Sequence, residues 1–395
     1  MQPKTKSDSV IANVSYSLLF TLLLSVIGIL LLPAAAIVRG QTVNTYLFVT
    51  ATDSDRVAVI DPSTGEVTDL IGVGNSPIRI AMRPDGLRAF VSNTGSDSVS
   101  VINTQTKAVI GTITNGIGNM PQELAVSPNG QRLFVVHQGD SFVSVINPSN
   151  GSLIGTVNIG GTEARDVIVT SNSAFAYVAN YDLGEVDKIQ ASNGNLTRIP
   201  TEAGPRRLAI TPDQGLVFST DYLGDAVSAI DTSDNSVTTI TDGIGHHPRG
   251  IAITPDGSET WVTNVDDGTV SVIDNDTLTV IGDPITVGDT PWHVIITPDG
   301  DWAYVSNSGD ATVTVINTET KEIDKTLTMT DGIGLGPFFS VINPGGHKLF
   351  VSNARSGDID PDDGSVTVID LNSREVDDVI TGIGAQPFDL MFNTQ

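Results

Sequence analysis

The chain has 395 residues, a formal net charge of −26, 39 glycines, 20 prolines and no cysteine. Without cysteine there is no disulfide, no thiol nucleophile, no thiolate-bound zinc and no covalently attached c-type haem. An acidic field of this size repels a phosphate backbone, which excludes nucleic acid as a partner.

In chain order the first feature is an export segment. Residues 1–9 are polar and carry Lys4 and Lys6, no charged residue occurs from Val10 to Val38, and Ser17 to Leu32 is mostly Leu, Ile, Val and Phe. Pro33-Ala34-Ala35-Ala36 then supplies small residues ahead of Arg39-Gly40-Gln41. A positive start, an apolar run and a small-residue end form the layout of a secretory signal. The run is also long enough to cross a bilayer uncut, with the lysines holding the N-terminus inside. Both readings divide the chain into residues 1–40, a signal peptide or membrane anchor, and residues 41–395. The second part is then secreted or displayed at the cell surface, anchored in the uncut case by residues 17–38.

From Tyr46 one unit repeats to the C-terminus, and Ile295–Asn317 (IITPDGDWAYVSNSGDATVTVIN) is a clear copy. An apolar run leads into Pro298-Asp299-Gly300, where proline presets φ and glycine accepts a positive one. Trp302 to Val305 is aromatic and β-branched, and Val313 to Ile316 is a third strand after a polar loop. Its continuous apolar run, rather than alternation, suits a strand covered on both faces. Aromatic second strands recur at Phe48, Phe90, Phe134, Tyr177, Phe218, Trp261, Tyr304 and Phe350, with turns 41 to 46 residues apart. Four short strands per period predict an all-β fold, a single β-propeller of eight four-stranded blades. Seven is the alternative, should a degenerate copy near Ser171 or Gln190 not close. Tyr46 enters at a second strand, and Pro387–Asn393 is a first strand without a second; pairing them would close the ring and remove an exposed edge.

Phe90-Val91-Ser92-Asn93, Trp261-Val262-Thr263-Asn264 and Tyr304-Val305-Ser306-Asn307, with the TPDG turns and the VSVI runs at Val99, Val143 and Val270, resemble the Tyr-Val-Thr-Asn repeat of the YVTN β-propeller family. The likeness covers residues 45–393. It implies the propeller fold and kinship with archaeal surface-layer and other exported propellers; related propellers include lactonases, quinoprotein dehydrogenases and haem-binding domains.

In a propeller the first strand of each blade lines the central channel. Arg79, Arg165, Arg206, Arg207 and Arg249 all fall just after the loops that enter these strands, in a strongly acidic protein. Together with His137, Trp292 and His293 they form a candidate ligand-binding mouth. The arginines either capture an anion or tie each blade to the next. His246, His247 and His293 come from adjacent loops and are candidates for a shared zinc or copper ion. His137 stands where other copies have asparagine. The loop from Asn353 to Val366 is seven residues longer than its counterparts and holds Asp358, Asp360, Asp362 and Asp363. These are hard oxygen ligands for calcium, although the spacing is not that of an EF-hand. Asn150, Asn195 and Asn275 begin N-x-Ser/Thr sequons at one phase of the repeat and are candidate glycosylation sites.

No G-x-S-x-G elbow, H-E-x-x-H or P-loop occurs, and Asp53, Asp221 and Asp389 are the carboxylates placed for acid–base work at the mouth. The sequence reading is therefore a non-catalytic binding or scaffolding module at the cell surface, with anionic glycans or envelope proteins as partners. The alternative is a propeller enzyme, either a lactonase-like hydrolase or a quinone- or haem-dependent redox protein.

Overall fold

The computed structural model describes residues 45–354 and 364–393. Eight antiparallel sheets follow one another around a ring, each built from four strands in chain order from the centre outward. The eight-blade expectation holds, and so does its closure. Pro387–Phe392 is the inner strand of the first blade and pairs with Leu47–Ala51, with Leu47 opposite Phe392 and Val49 opposite Leu390. The seam is locked beyond the ladder by Tyr46 N–H donating to Asn393 Oδ1 at 2.6 Å and Ala385 N–H donating to Ser54 Oγ at 2.7 Å. In the sixth blade the outer strand is split into Thr279–Val280 and Ile285–Thr286. Pro284 lies in the break, where its missing N–H could not serve a ladder.

One apolar cluster fills each gap between neighbouring blades. Between the seventh and eighth blades, for example, Tyr304, Val313 and Val315 meet Leu349, Val351 and Ile369. Second and third strands are therefore covered on both faces, which is why the small hydroxyl residues between the third-strand valines, Ser100, Ser144, Ser271 and Thr314 among them, are buried with them. The second-strand aromatic of every blade, Trp261 and Tyr177 among them, is at most about 1% exposed.

The asparagine that ends a second strand has a structural task. Asn93 Nδ2 donates to Ser98 and Ser100 Oγ at 3.1 and 3.0 Å, and Asn307 Nδ2 to Thr312 and Thr314 Oγ1 at 2.9 Å each. The same pair of bonds forms at Asn264 and Asn353. Against each asparagine packs the glycine of an entry loop. A Cβ on Gly74 would lie 2.7 Å from the Asn93 side chain, and one on Gly334 2.6 Å from that of Asn353. Glycine permits this approach, which fixes each entry loop over its blade.

Candidate active site

Each inner strand begins at a proline or alanine and is then bulged. Register shifts fall between Pro77 and Arg79, Pro121 and Leu124, Pro248 and Ile251, Pro337 and Ser340, and at the same place in the other four blades. A bulge breaks the in–out alternation, so two successive residues per blade turn to the channel instead of one. The result is two stacked layers.

The outer layer holds Gln122, Arg165, Arg206, Arg249, Trp292 and Phe388, which with Arg79 and Arg207 line a cavity of about 160 Å³. Beneath it the second layer, comprising Arg79, Glu123, Asp166, Arg207, Gly250, His293, Phe339 and Asp389, tops a larger cavity of about 470 Å³.

The lower layer is a closed ionic cluster. Arg79 reaches Glu123 Oε2 at 3.0 Å on one side and Asp389 Oδ1 at 3.6 Å on the other. Arg207 crosses the channel to Glu123 Oε2 at 2.8 Å and meets Asp166 Oδ1 at 3.7 Å. Asp166 Oδ2 accepts from Leu208 N–H at 2.9 Å and Asp389 Oδ2 from Ile80 N–H at 3.0 Å. Three carboxyls thus share two guanidiniums. Burial raises the pKa of all three, against the pull of Arg79, and the Asp166 and Asp389 charges push Glu123 up further. One proton held among three crowded carboxyls relieves the excess negative charge.

The outer layer has the opposite imbalance. Arg165 pairs with Glu163, and Arg206 lies over the Tyr222 ring at 4.5 Å. Arg249 is 6% exposed and has no carboxylate partner among the described residues; its guanidinium sits over the Trp292 ring, 3.0 Å from the centroid. Burial first, then the neighbouring Arg206 and Arg79, push its pKa down. A guanidinium is basic enough to stay charged regardless, so its burial carries a cost that no carboxylate among the described residues offsets. Trp292 Nε1 is buried beside it without a hydrogen-bond partner.

Aromatic rings complete the wall. Phe338 meets Trp292 edge-on at 4.7 Å, and Phe339 meets Phe388 at 5.2 Å. Arg79 lies over Phe339 at 4.0 Å. His293 bonds Ser340 Oγ through Nδ1 at 3.0 Å. Burial, then the Arg79 and Arg249 charges, lower its pKa to about 4, so it is neutral at physiological pH.

The structure therefore gathers Arg79, Arg165, Arg206, Arg207, Arg249, Trp292 and His293 at one mouth, as the sequence suggested. His137 does not belong there. It is fully buried at the asparagine position of its strand, where its ring bonds Gly118 N–H at 3.0 Å and Phe142 O at 2.9 Å. Of the two arginine roles expected from the sequence, Arg79 and Arg207 take the tying one, in ion pairs between blades, whereas Arg249 has no carboxylate partner among the described residues. Glu123 and Asp166 were adjacent to the candidates without being among them. Had the bulge been anticipated, both residues after each proline would have qualified.

Of the carboxylates considered for acid–base work, Asp389 is in the cluster, Asp53 is exposed, and Asp221 is buried in the asparagine position of its blade. The shared metal does not form: His246 pairs with Asp267 at 3.0 Å and His247 with Asp266 at 2.7 Å, while His293 is turned to Ser340. Among the described residues no group of three or more metal-ligating side chains converges. Asp358, Asp360, Asp362 and Asp363 lie outside the described residues, as does the apolar segment 17–38. Among those described, no helix is long and apolar enough to cross a membrane. Asn150 and Asn195 are exposed in their turns, whereas Asn275 is buried with its amide donating to Gly257 O at 2.9 Å.

Comparison with solved structures shows the fold. Dihydro-heme d1 dehydrogenase NirN aligns with a TM-score of 0.74 at 17% identity, over 88% of this chain and 75% of that one. Kuenenia stuttgartiensis hydrazine synthase aligns at 0.58 and 21% identity over 74% and 95% of the two chains. A functionally unknown protein from Desulfotomaculum acetoxidans DSM 771 aligns at 0.60 and 16% identity over 88% and 98%. A search of curated proteins finds no match. Residues 146–371, more than half of the chain, match the family model described as lactonase, 7-bladed beta-propeller. That match overturns the expectation of a non-catalytic binding or scaffolding module and the leaning against an enzyme; the alternative, a propeller enzyme, is the better supported. The chain belongs to the lactonase seven-bladed β-propeller family, and carries eight blades in place of the seven in that description.

Proposed function

We propose that the protein hydrolyses a lactone that carries an anionic group, a carboxylate or phosphate, at the mouth of its channel. The observation that carries this reading is Arg249: buried, charged, without a carboxylate partner among the described residues, and lining a mouth that adjoins a cluster of three carboxyls sharing two guanidiniums. Arg249 and Arg206 bind the anion. The scissile carbonyl lies at the ionic layer, where Arg79 or Arg207 faces the oxyanion that develops. An ionised carboxylate of the cluster takes a proton from water as its oxygen attacks the carbonyl carbon. A protonated carboxyl of the same cluster, Glu123 for preference, gives its proton to the ring oxygen as the acyl–oxygen bond breaks. Lactone and water thus become a hydroxy acid, with the cluster's proton count restored once the attacking proton is redistributed. Neutral His293 orients groups without adding to the positive field.

The N-terminal apolar segment puts this activity outside the cytoplasm, in a secreted enzyme or one anchored through residues 17–38, at an envelope of the surface-layer type that the YVTN resemblance implies. Hydrolysis of matched lactones with and without a carboxylate tests the reading. Arg249→Gln is expected to lower kcat/KM for the charged lactone by about a hundredfold, the size of a lost charge-assisted bond, and to leave the uncharged one little changed. Equal effects on both, or no turnover of any lactone by the parent protein, would rule it out.

A further inference from the structure

Below the ionic layer the channel changes character. The inner strands present Ala81, Met82, Ala125, Val126, Ile168 and Met391 to the larger cavity, with no charged side chain among them. Five of these six are partly exposed and Ala81 is buried, and each also packs into a gap between blades. An apolar wall beside an ionic layer suits a ligand that has an apolar part as well as a polar one. The ionic layer above is not continuous: Gly250 is its one position without a side chain, and it lines the cavity beside Ile251. A Cβ on Gly250 would lie 2.9 Å from Thr263 Oγ1 and 2.9 Å from Trp292 O, so no other residue fits that backbone. Arg79, Arg207 and Trp292 line both the mouth and the larger cavity, so the two adjoin across the ionic layer.

We propose that this bore holds a hydrocarbon arm of the substrate. The arm is an unbranched alkyl or acyl chain on the far side of the scissile carbonyl from the anionic group. The inference rests on the lactone reading for the position of the carbonyl, but the bore's selectivity is a binding property of its own. The substrate class is thus an amphipathic lactone: anion at Arg249, carbonyl at the Glu123–Arg207 layer, chain against Ala81, Ala125 and Ile168.

The test uses the full-length protein and simple saturated carboxylates, which cannot be hydrolysed: acetate, butyrate, hexanoate and octanoate, titrated by calorimetry. Affinity is expected to rise by about fourfold per methylene buried. In Ala125→Phe, which adds bulk to the wall of the bore, acetate affinity should be unchanged and the gain from acetate to octanoate lost. The slope in the parent protein stands by itself should that variant not fold. Affinity independent of chain length, or no binding of any of the acids, overturns the bore. Hydrolysis of short charged lactones alongside a flat series leaves the hydrolase intact, whereas a steep series without lactone turnover removes the hydrolase and keeps the bore.

Discussion

The last residue of each second strand and the second and third residues of each inner strand lie at the same end of the blade, yet they are used in opposite ways. At the first position most blades agree. Asn93, Asn264, Asn307 and Asn353 each bind two hydroxyls of the third strand. At the second position the blades disagree, with Arg249 and Gly250 in one, Trp292 and His293 in the next, and Gln122 and Glu123 elsewhere. A structural task repeated from blade to blade favours one solution, whereas a ring that binds one asymmetric molecule needs each position to differ. Here the differences are ordered. Charged side chains occupy the layer from the first blade's Asp389 through Arg207 of the fifth, and Trp292, Phe338, Phe339 and Phe388 form the opposite wall. The mouth is cationic, the layer below it anionic, and the bore beneath apolar.

Breaking the shared part should cost stability and spare chemistry. Trp261 is fully buried in the gap beside Val294 and Val305. Trp261→Ala removes a large side chain from a site that can only partly collapse, for a loss of about 3–5 kcal/mol. The melting temperature should fall sharply while kcat/KM of the protein that remains folded stays at the parent value. A matching loss in kcat/KM would mean that scaffold and site are not separable.

The unshared part should behave in the reverse sense. Glu123→Gln keeps the shape of the side chain but removes a titrating group from the cluster. Burial raises the Glu123 pKa, so its protonated form survives towards neutral pH and is lost as pH rises above that raised value. Activity in the parent should therefore fall on the alkaline side. The variant should lose about a hundredfold in kcat and with it that alkaline limb, and its melting temperature should hold below the raised Glu123 pKa, where glutamine is the neutral isostere of the protonated side chain. An unaltered pH profile would place the general acid elsewhere.

The sequence made the shared part readable and left half of the site hidden, for one geometric reason. Period, aromatic strand and turn recur at fixed phase, so the blade count and the seam at Pro387–Phe392 follow from counting alone. The arginines stood out because cations are rare in this chain. Asp389 was singled out, but Glu123 and Asp166 did not stand out among 46 acidic residues. Simple alternation would also turn every second residue away from the channel. The bulge after each entry proline cancels that alternation, and it depends on backbone pairing that no single side chain announces. His137 misled for a related reason: a histidine in an asparagine slot looks exceptional in sequence, yet it bonds the same loop and strand that asparagine serves elsewhere.

Asp221 is the shared position filled by the wrong charge, and it gives the mildest test of the comparison. It occupies the asparagine slot of the fifth blade, fully buried, and accepts from Ser219 Oγ at 2.8 Å and Ser228 Oγ at 2.6 Å. Burial outweighs these two bonds and raises its pKa from 3.8 to about 7. The folded chain therefore holds a proton that the unfolded chain has released between those two values. The stabilisation this gives is complete below the unfolded pKa and is lost as pH rises through about 7. Asp221→Asn supplies the side chain that the other blades use, with an amide able to donate to Ser228 as Asn93 donates to Ser100. The variant should match the parent in acid and exceed it at pH 8 by on the order of 1 kcal/mol, with no change in kcat. Thermal melts across that pH range read the difference directly. A variant less stable than the parent at pH 8 would mean that the carboxylate is held there by something the asparagine blades lack, and the fifth blade would join the unshared part of the molecule.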